Sequence, residues 1–149
     1  MAAVIEGPML EVSRHFAASP ERVFDAWLSK EWGEWLAPAG ARCRIAGLDA
    51  RAGGRYEAAM TMEDGRDVVI SGIYREIVRP VKLVFTWMGN YNNHETLITV
   101  AFRRDGAGTL MTLTQTNFPD EQQREGYARG WIGAGGCFDK LERYLSRGE

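Results

Sequence analysis

The chain has 149 residues, 45% of them apolar and 26% charged, the composition of one ordinary domain with enough core to fold unaided. Those values exclude a disordered chain, a collagen-like repeat and a disulfide scaffold, and no apolar run approaches the roughly 18–20 residues that would span a bilayer. With 18 basic against 20 acidic residues the net charge is −2, so no concentrated positive face is expected and nucleic acid is not an expected partner.

The opening residues, Met1 to Pro8, carry neither the basic stretch nor the apolar run of a signal peptide. A soluble, cytoplasmic protein is the expectation. Cys43 and Cys137 are far apart and lack a CxxC neighbour, and with His15 and His94 they are too scattered for a zinc site. Two reduced, buried thiols and no metal are expected.

Met9 to Phe16 alternates, with Leu10, Val12 and Phe16 on one face, and predicts a strand. Arg14 shares that face, so a carboxylate partner is expected for it, with Asp49 as the candidate. Ser19-Pro20-Glu21 is a helix start: an N-cap hydroxyl, a proline with preset φ and an acid at the positive end of the dipole. Val23, Phe24 and Trp27 then recur at helical spacing. Ser29 caps a second short helix carrying Trp32, Trp35 and Leu36, which Pro38 and Gly40 end.

From residue 41 the period changes to two. Strands are predicted over Arg42–Asp49, Arg55–Met62, Val68–Val78, Lys82–Met88, Glu95–Arg103 and Thr109–Asn117. They are punctuated by Ala52-Gly53-Gly54, Glu63-Asp64-Gly65, Pro80, the polar turn Gly89 to Asn93, and Asp105 to Gly108. With the first strand this makes about seven, joined by short hairpins and hence mainly antiparallel. After Phe118-Pro119 the period becomes helical. Asp120 is the N-cap, and Tyr127, Trp131, Ala134, Phe138, Leu141 and Leu145 form one apolar stripe toward Ser146-Arg147-Gly148.

That order predicts a single α+β domain over residues 1–149. A curved antiparallel sheet of six or seven strands wraps a long C-terminal helix, with two short helices after the first strand: the helix-grip arrangement. A fold of this kind leaves a cavity between sheet and helix.

Particular residues then point to a family. Ala18-Ser-Pro-Glu-Arg-Val-Phe-Asp-Ala-Trp27 followed by Trp35, Asp49-Ala-Arg-Ala-Gly-Gly-Arg-Tyr56, Asp64-Gly65 and Gly72 to Ile77 form its first half. Pro80, Leu83 to Trp87, Gly108 to Leu113, and Gly130-Trp131 with Leu141 continue it. Together they resemble the activator of Hsp90 ATPase homologue family, across roughly residues 9–146. That family lies in the START and birch-pollen-allergen-like (SRPBCC) superfamily. The resemblance implies a helix-grip fold and leaves open lipid carriage, hormone reception, cyclisation, hydroxylase domains or co-chaperone work, since fold does not fix chemistry.

No Ser-His-Asp order, nucleophile elbow, P-loop, GxGxxG or HExxH is present, so no catalytic residue and no cofactor is named. Most aromatics belong in the core. The residues placed to line a cavity are Trp35, Tyr56, Met60, Trp87, His94, Gln115, Asn117, Tyr127, Gly130, Trp131, Ala134 and Phe138. Gly126, Gly130, Gly133, Gly135 and Gly136 stand inside the C-terminal helix, giving up roughly 4–5 kcal/mol of helix propensity. Two explanations stay open: close packing or a kink, or room for a ligand or partner.

The leading reading is a domain that binds a small apolar or lipid-like molecule between sheet and C-terminal helix, as monomer or homodimer. The alternatives are a chaperone-associated protein-interaction module of the stress response, whose partner is another protein, and a cofactor-free cyclase- or hydrolase-like enzyme.

Overall fold

Alternating burial sets seven strands in the computed structural model, which describes residues 8–147. They are β1 (Leu10–Phe16), β2 (Arg42–Leu48), β3 (Arg55–Thr61), β4 (Asp67–Val78), β5 (Lys82–Gly89), β6 (Glu95–Asp105) and β7 (Gly108–Thr116). Each ends within two residues of its expected boundary. They form one antiparallel sheet in the order β1-β7-β6-β5-β4-β3-β2. β2 to β7 is therefore a plain meander, and β1 closes its far edge beside β7. The register aligns one apolar face, with Phe85 opposite Ile98, Val100 opposite Leu113 and Phe102 opposite Met111. Register shifts at Ile45/Gly47 and Tyr74/Glu76 add local twist, which bends the sheet around its inner face.

Between β1 and β2 lie α1 (Pro20–Asp25) and a 3-10 helix (Lys30–Glu34). The Ser19 hydroxyl accepts from the Arg22 N–H at 3.2 Å and the Ser29 hydroxyl from the Glu31 N–H at 3.2 Å, so both expected caps form. The second short element is 3-10 rather than α. This segment delivers Trp27, Trp32 and Trp35, all fully buried. Trp27 is their hub, with ring centroids 4.8 Å from Trp35, 6.1 Å from Phe85 and 6.0 Å from Trp131.

The long C-terminal helix is bent at its glycines, so the kink that the sequence left open as one explanation is present. α2 (Glu121–Ile132) and α3 (Cys137–Arg147) are separated by Gly133 to Gly136. Gly133 is extended, and Gly135 has φ +73°, a left-handed value that side chains with a Cβ avoid. A Cβ on Gly136 would sit 2.6 Å from the Gly130 carbonyl oxygen. These three glycines make the bend. Gly148, expected at the helix end, and Met1 to Gly7 lie outside the described residues.

The two halves differ. α3 buries Cys137, Phe138, Leu141 and Leu145, whereas α2 buries only Trp131. α3 is also tied to β1, because Arg14 pairs with Asp139 at 2.7 Å and with Glu142 at 2.8 Å. That corrects the expected Arg14–Asp49 pair: Asp49 instead takes Arg51 at 2.8 Å, and α3 brings its own carboxylates to Arg14. The Lys140 ammonium donates to the carbonyls of Ala37, Pro38 and Ala41 at 2.9, 2.9 and 3.0 Å, fixing α3 to the chain after the 3-10 helix.

Gly136→Ala should destabilise the fold by about 1–3 kcal/mol, as overpacking against backbone does. Urea unfolding followed by tryptophan fluorescence measures this. A midpoint equal to that of the unsubstituted chain would mean that the bend does not need the glycine.

Candidate functional site

α2 reads Glu-Gln-Gln-Arg-Glu-Gly-Tyr-Ala-Arg-Gly-Trp-Ile and has too few apolar side chains to seal itself onto the sheet. Specific hydrogen bonds hold it instead. The Trp131 indole N–H donates to Gln115 Oε1 at 3.0 Å, and the Trp87 indole N–H donates to the Tyr127 hydroxyl at 3.0 Å. Gln115 is fully buried on β7 and passes its amide N–H to Thr96 Oγ1 at 2.9 Å; Thr96 in turn donates to the Trp87 carbonyl at 3.1 Å. The Trp87 and Trp131 rings meet edge to face at 5.5 Å.

What this leaves beside α2 is a groove of about 570 Å³, open to solvent on one side. Met60 of β3, Val68 and Ile70 of β4, and Trp87 of β5 form its sheet side. Tyr127, Gly130 and Trp131 form its helix side, and Leu36 and Pro38 close one end. Its size lies within the roughly 300–1,000 Å³ of small-molecule sites. The Tyr91 hydroxyl, from the turn after β5, meets the Tyr127 hydroxyl at the rim.

The structure brings together Met60, Trp87, Tyr127, Gly130 and Trp131 of the twelve residues singled out from sequence. The others lie elsewhere. Trp35 and Tyr56 are core: the Trp35 indole donates to the Ala26 carbonyl at 3.1 Å and the Tyr56 hydroxyl to the Thr86 carbonyl at 2.6 Å. Gln115 lies beneath Trp131, with its amide committed to the chain just described. His94 and Asn117 clasp each other's strand ends. A His94 ring nitrogen lies 2.6 Å from the Asn117 carbonyl, and the Asn117 amide donates to the Glu95 carbonyl at 2.8 Å. Ala134 is exposed in the bend, and Phe138 packs between Phe16 and Trp131. The stripe reading failed at Ala134 because the bend takes it out of helical phase. Val68 and Ile70 went unnoticed, although the period of two places them on the face of Met60.

Among the described residues neither carboxylate nor imidazole lines the groove. Cys137 reaches it, but burial pushes that thiol up to about 12, and Cys43 to about 11, so both stay protonated and weakly nucleophilic at neutral pH. A second hollow, of about 590 Å³, lies between the 3-10 helix, β2 and α3. Lys140, its central charge, is already spent on three carbonyls. Among the described residues no helix is long and apolar enough to cross a membrane, and no group of three or more metal-ligating side chains is present.

A meandering antiparallel sheet gripping a bent C-terminal helix, with a groove between them, is the helix-grip architecture. The family model described as Activator of Hsp90 ATPase homolog 1-like protein matches residues 17–146, and the chain belongs to that family, within the SRPBCC superfamily. Among solved structures the chain resembles a protein of Chromobacterium violaceum at TM-score 0.82 and 23% identity, covering 92% of this chain and 96% of that one. It resembles the AHSA1 protein from Silicibacter pomeroyi at TM-score 0.81 and 21% identity, covering 95% and 100%. A Mycobacterium smegmatis protein follows at TM-score 0.78 and 18% identity, covering 96% of each chain. These likenesses establish the fold. No curated protein is detectably similar in sequence.

The helix glycines now divide into two groups. Gly133, Gly135 and Gly136 are required by the bend, while Gly126 and Gly130 line the groove. A Cβ on Gly126 would come no closer than 3.9 Å to Arg129 Nη2, and one on Gly130 no closer than 3.9 Å to Pro38 Cβ. Packing therefore does not demand a glycine at either place. Gly126→Ala and Gly130→Ala should each stabilise the protein by about 0.8–1.0 kcal/mol through helix propensity. Chemical denaturation checks this, and a loss of stability in either variant would show a packing role for that glycine.

Proposed function

We propose that the chain is a small-molecule-binding domain whose site is the groove between α2 and the β3–β5 face. One observation carries the reading: Gly126 and Gly130 give up helix stability on the groove wall, where the packing would accept a side chain. Glycine at both positions keeps the groove wall thin, leaving free the space a side chain would fill. Trp87 and Trp131 supply apolar lining, and their indole N–H groups are already paired, so an apolar ligand leaves no buried donor unmet. Family membership supports the same reading.

The test combines native mass spectrometry of the purified protein, set against its denatured mass, with titration of an uncharged apolar fluorophore, N-phenyl-1-naphthylamine. A retained small molecule, or saturable probe binding that Gly126→Leu largely abolishes without loss of fold, is the expected result. An apo mass together with no saturable probe binding would overturn the proposal.

A further inference from the structure

The groove's apolar floor is ringed by charge of one sign. Arg66, in the β3–β4 turn, and Arg129, on α2, both line it, and among the described residues no Asp or Glu does. Arg129 lies over the glycine notch, with Nη2 3.9 Å from the place of a Gly126 Cβ. Arg124 on the same helix is held by Glu121 at 2.7 Å, but Arg129 enters no ion pair among the described residues, Glu125 one turn away included. For Arg66 the nearest paired carboxylate, Asp64, stands 3.9 Å away in the same turn. The amides of Gln122 and Gln123 border the same rim.

An arginine fork is built to receive a carboxylate. In a chain of net charge −2, an opening lined by one arginine without an ion pair among the described residues and a second held only loosely by Asp64, at 3.9 Å, selects for sign as well as for apolarity. We propose that the groove's ligand is an amphipathic carboxylate: an apolar body on Trp87 and Trp131, and its acid group at the rim that Arg66 and Arg129 share. This rests on the small-molecule reading above and adds the ligand's charge to it. The rim discriminates against neutral analogues of the same shape, and added salt weakens that discrimination because the arginines are solvated.

Two matched pairs test this in the full chain, by quenching of tryptophan fluorescence: 1-naphthaleneacetate against 1-naphthaleneacetamide, and dodecanoate against dodecanol. The expected result is an acid preference of about fivefold at low salt, the size of a solvent-exposed charge contact. That preference shrinks in roughly 0.5 M salt, where the Debye length is about 4 Å, and disappears in an Arg66→Gln, Arg129→Gln double variant that binds the neutral partners as before. Equal binding of acid and neutral partner would overturn the anion inference while leaving the groove reading intact. An acid preference that survives in the double variant would overturn the assignment to this rim. Binding of neither pair would overturn the groove reading and this inference with it.

Discussion

A single buried amide sets the geometry on which the site depends. Gln115 is completely shielded from water, and an unpaired amide there would cost about 1–3 kcal/mol. Its oxygen accepts from Trp131, its nitrogen donates to Thr96, and Thr96 closes the chain on the Trp87 carbonyl. α2 brings almost no apolar stripe of its own, so this chain and the Trp87–Tyr127 bond place it over the sheet. Both indoles are thereby fixed at the groove lining, edge to face on each other, with their N–H groups satisfied within the chain. The polar network orients an apolar surface, a task that packing of aliphatic side chains performs with less definition.

The bend turns one helix into two elements with separate duties. α3 carries the burial, through Phe138, Leu141 and Leu145, and is further tied by Arg14 and by the three carbonyls around Lys140. α2 is freed from sealing the core and can stand off from the sheet by the width of a groove. Asp139 joins the two, since its carboxylate receives the Gly135 N–H at 2.7 Å as well as Arg14. Both donors favour the ionised form and hold that carboxyl below its ordinary range.

The strands were legible because their period of two, the turn glycines and the serine caps are local signals, each acting within a few residues. The partner of Arg14 was not, because Asp139 and Glu142 lie more than a hundred residues away and only the docking of α3 brings them near. Tyr127 and Trp131 of the groove were visible as part of a helical stripe, Trp87 as an aromatic on the facing strand, and the glycines as an anomaly. Their division was not visible: whether a glycine serves a bend or a wall depends on what a Cβ would meet, which is a tertiary fact. Gln115 shows the opposite error. A polar residue on an apolar face reads as a ligand contact, yet here it is consumed by an indole of its own chain.

Net charge has a narrower reach than local charge. A value of −2 over the whole chain argues against polyanions, which need a broad positive face, and says nothing about a small anion. Fixed charges interact across solvent over about 8 Å at physiological salt, so acids on distant strands and turns barely reach the groove mouth. What a ligand meets there is the local set: Arg66, Arg129, two glutamines and two tyrosines above an indole floor. Of those, only the arginines carry charge at neutral pH, and neither is neutralised across the groove. The charge at the groove is therefore set by where two turns and one helix place their side chains, and a net charge of −2 over the whole chain does not reverse it.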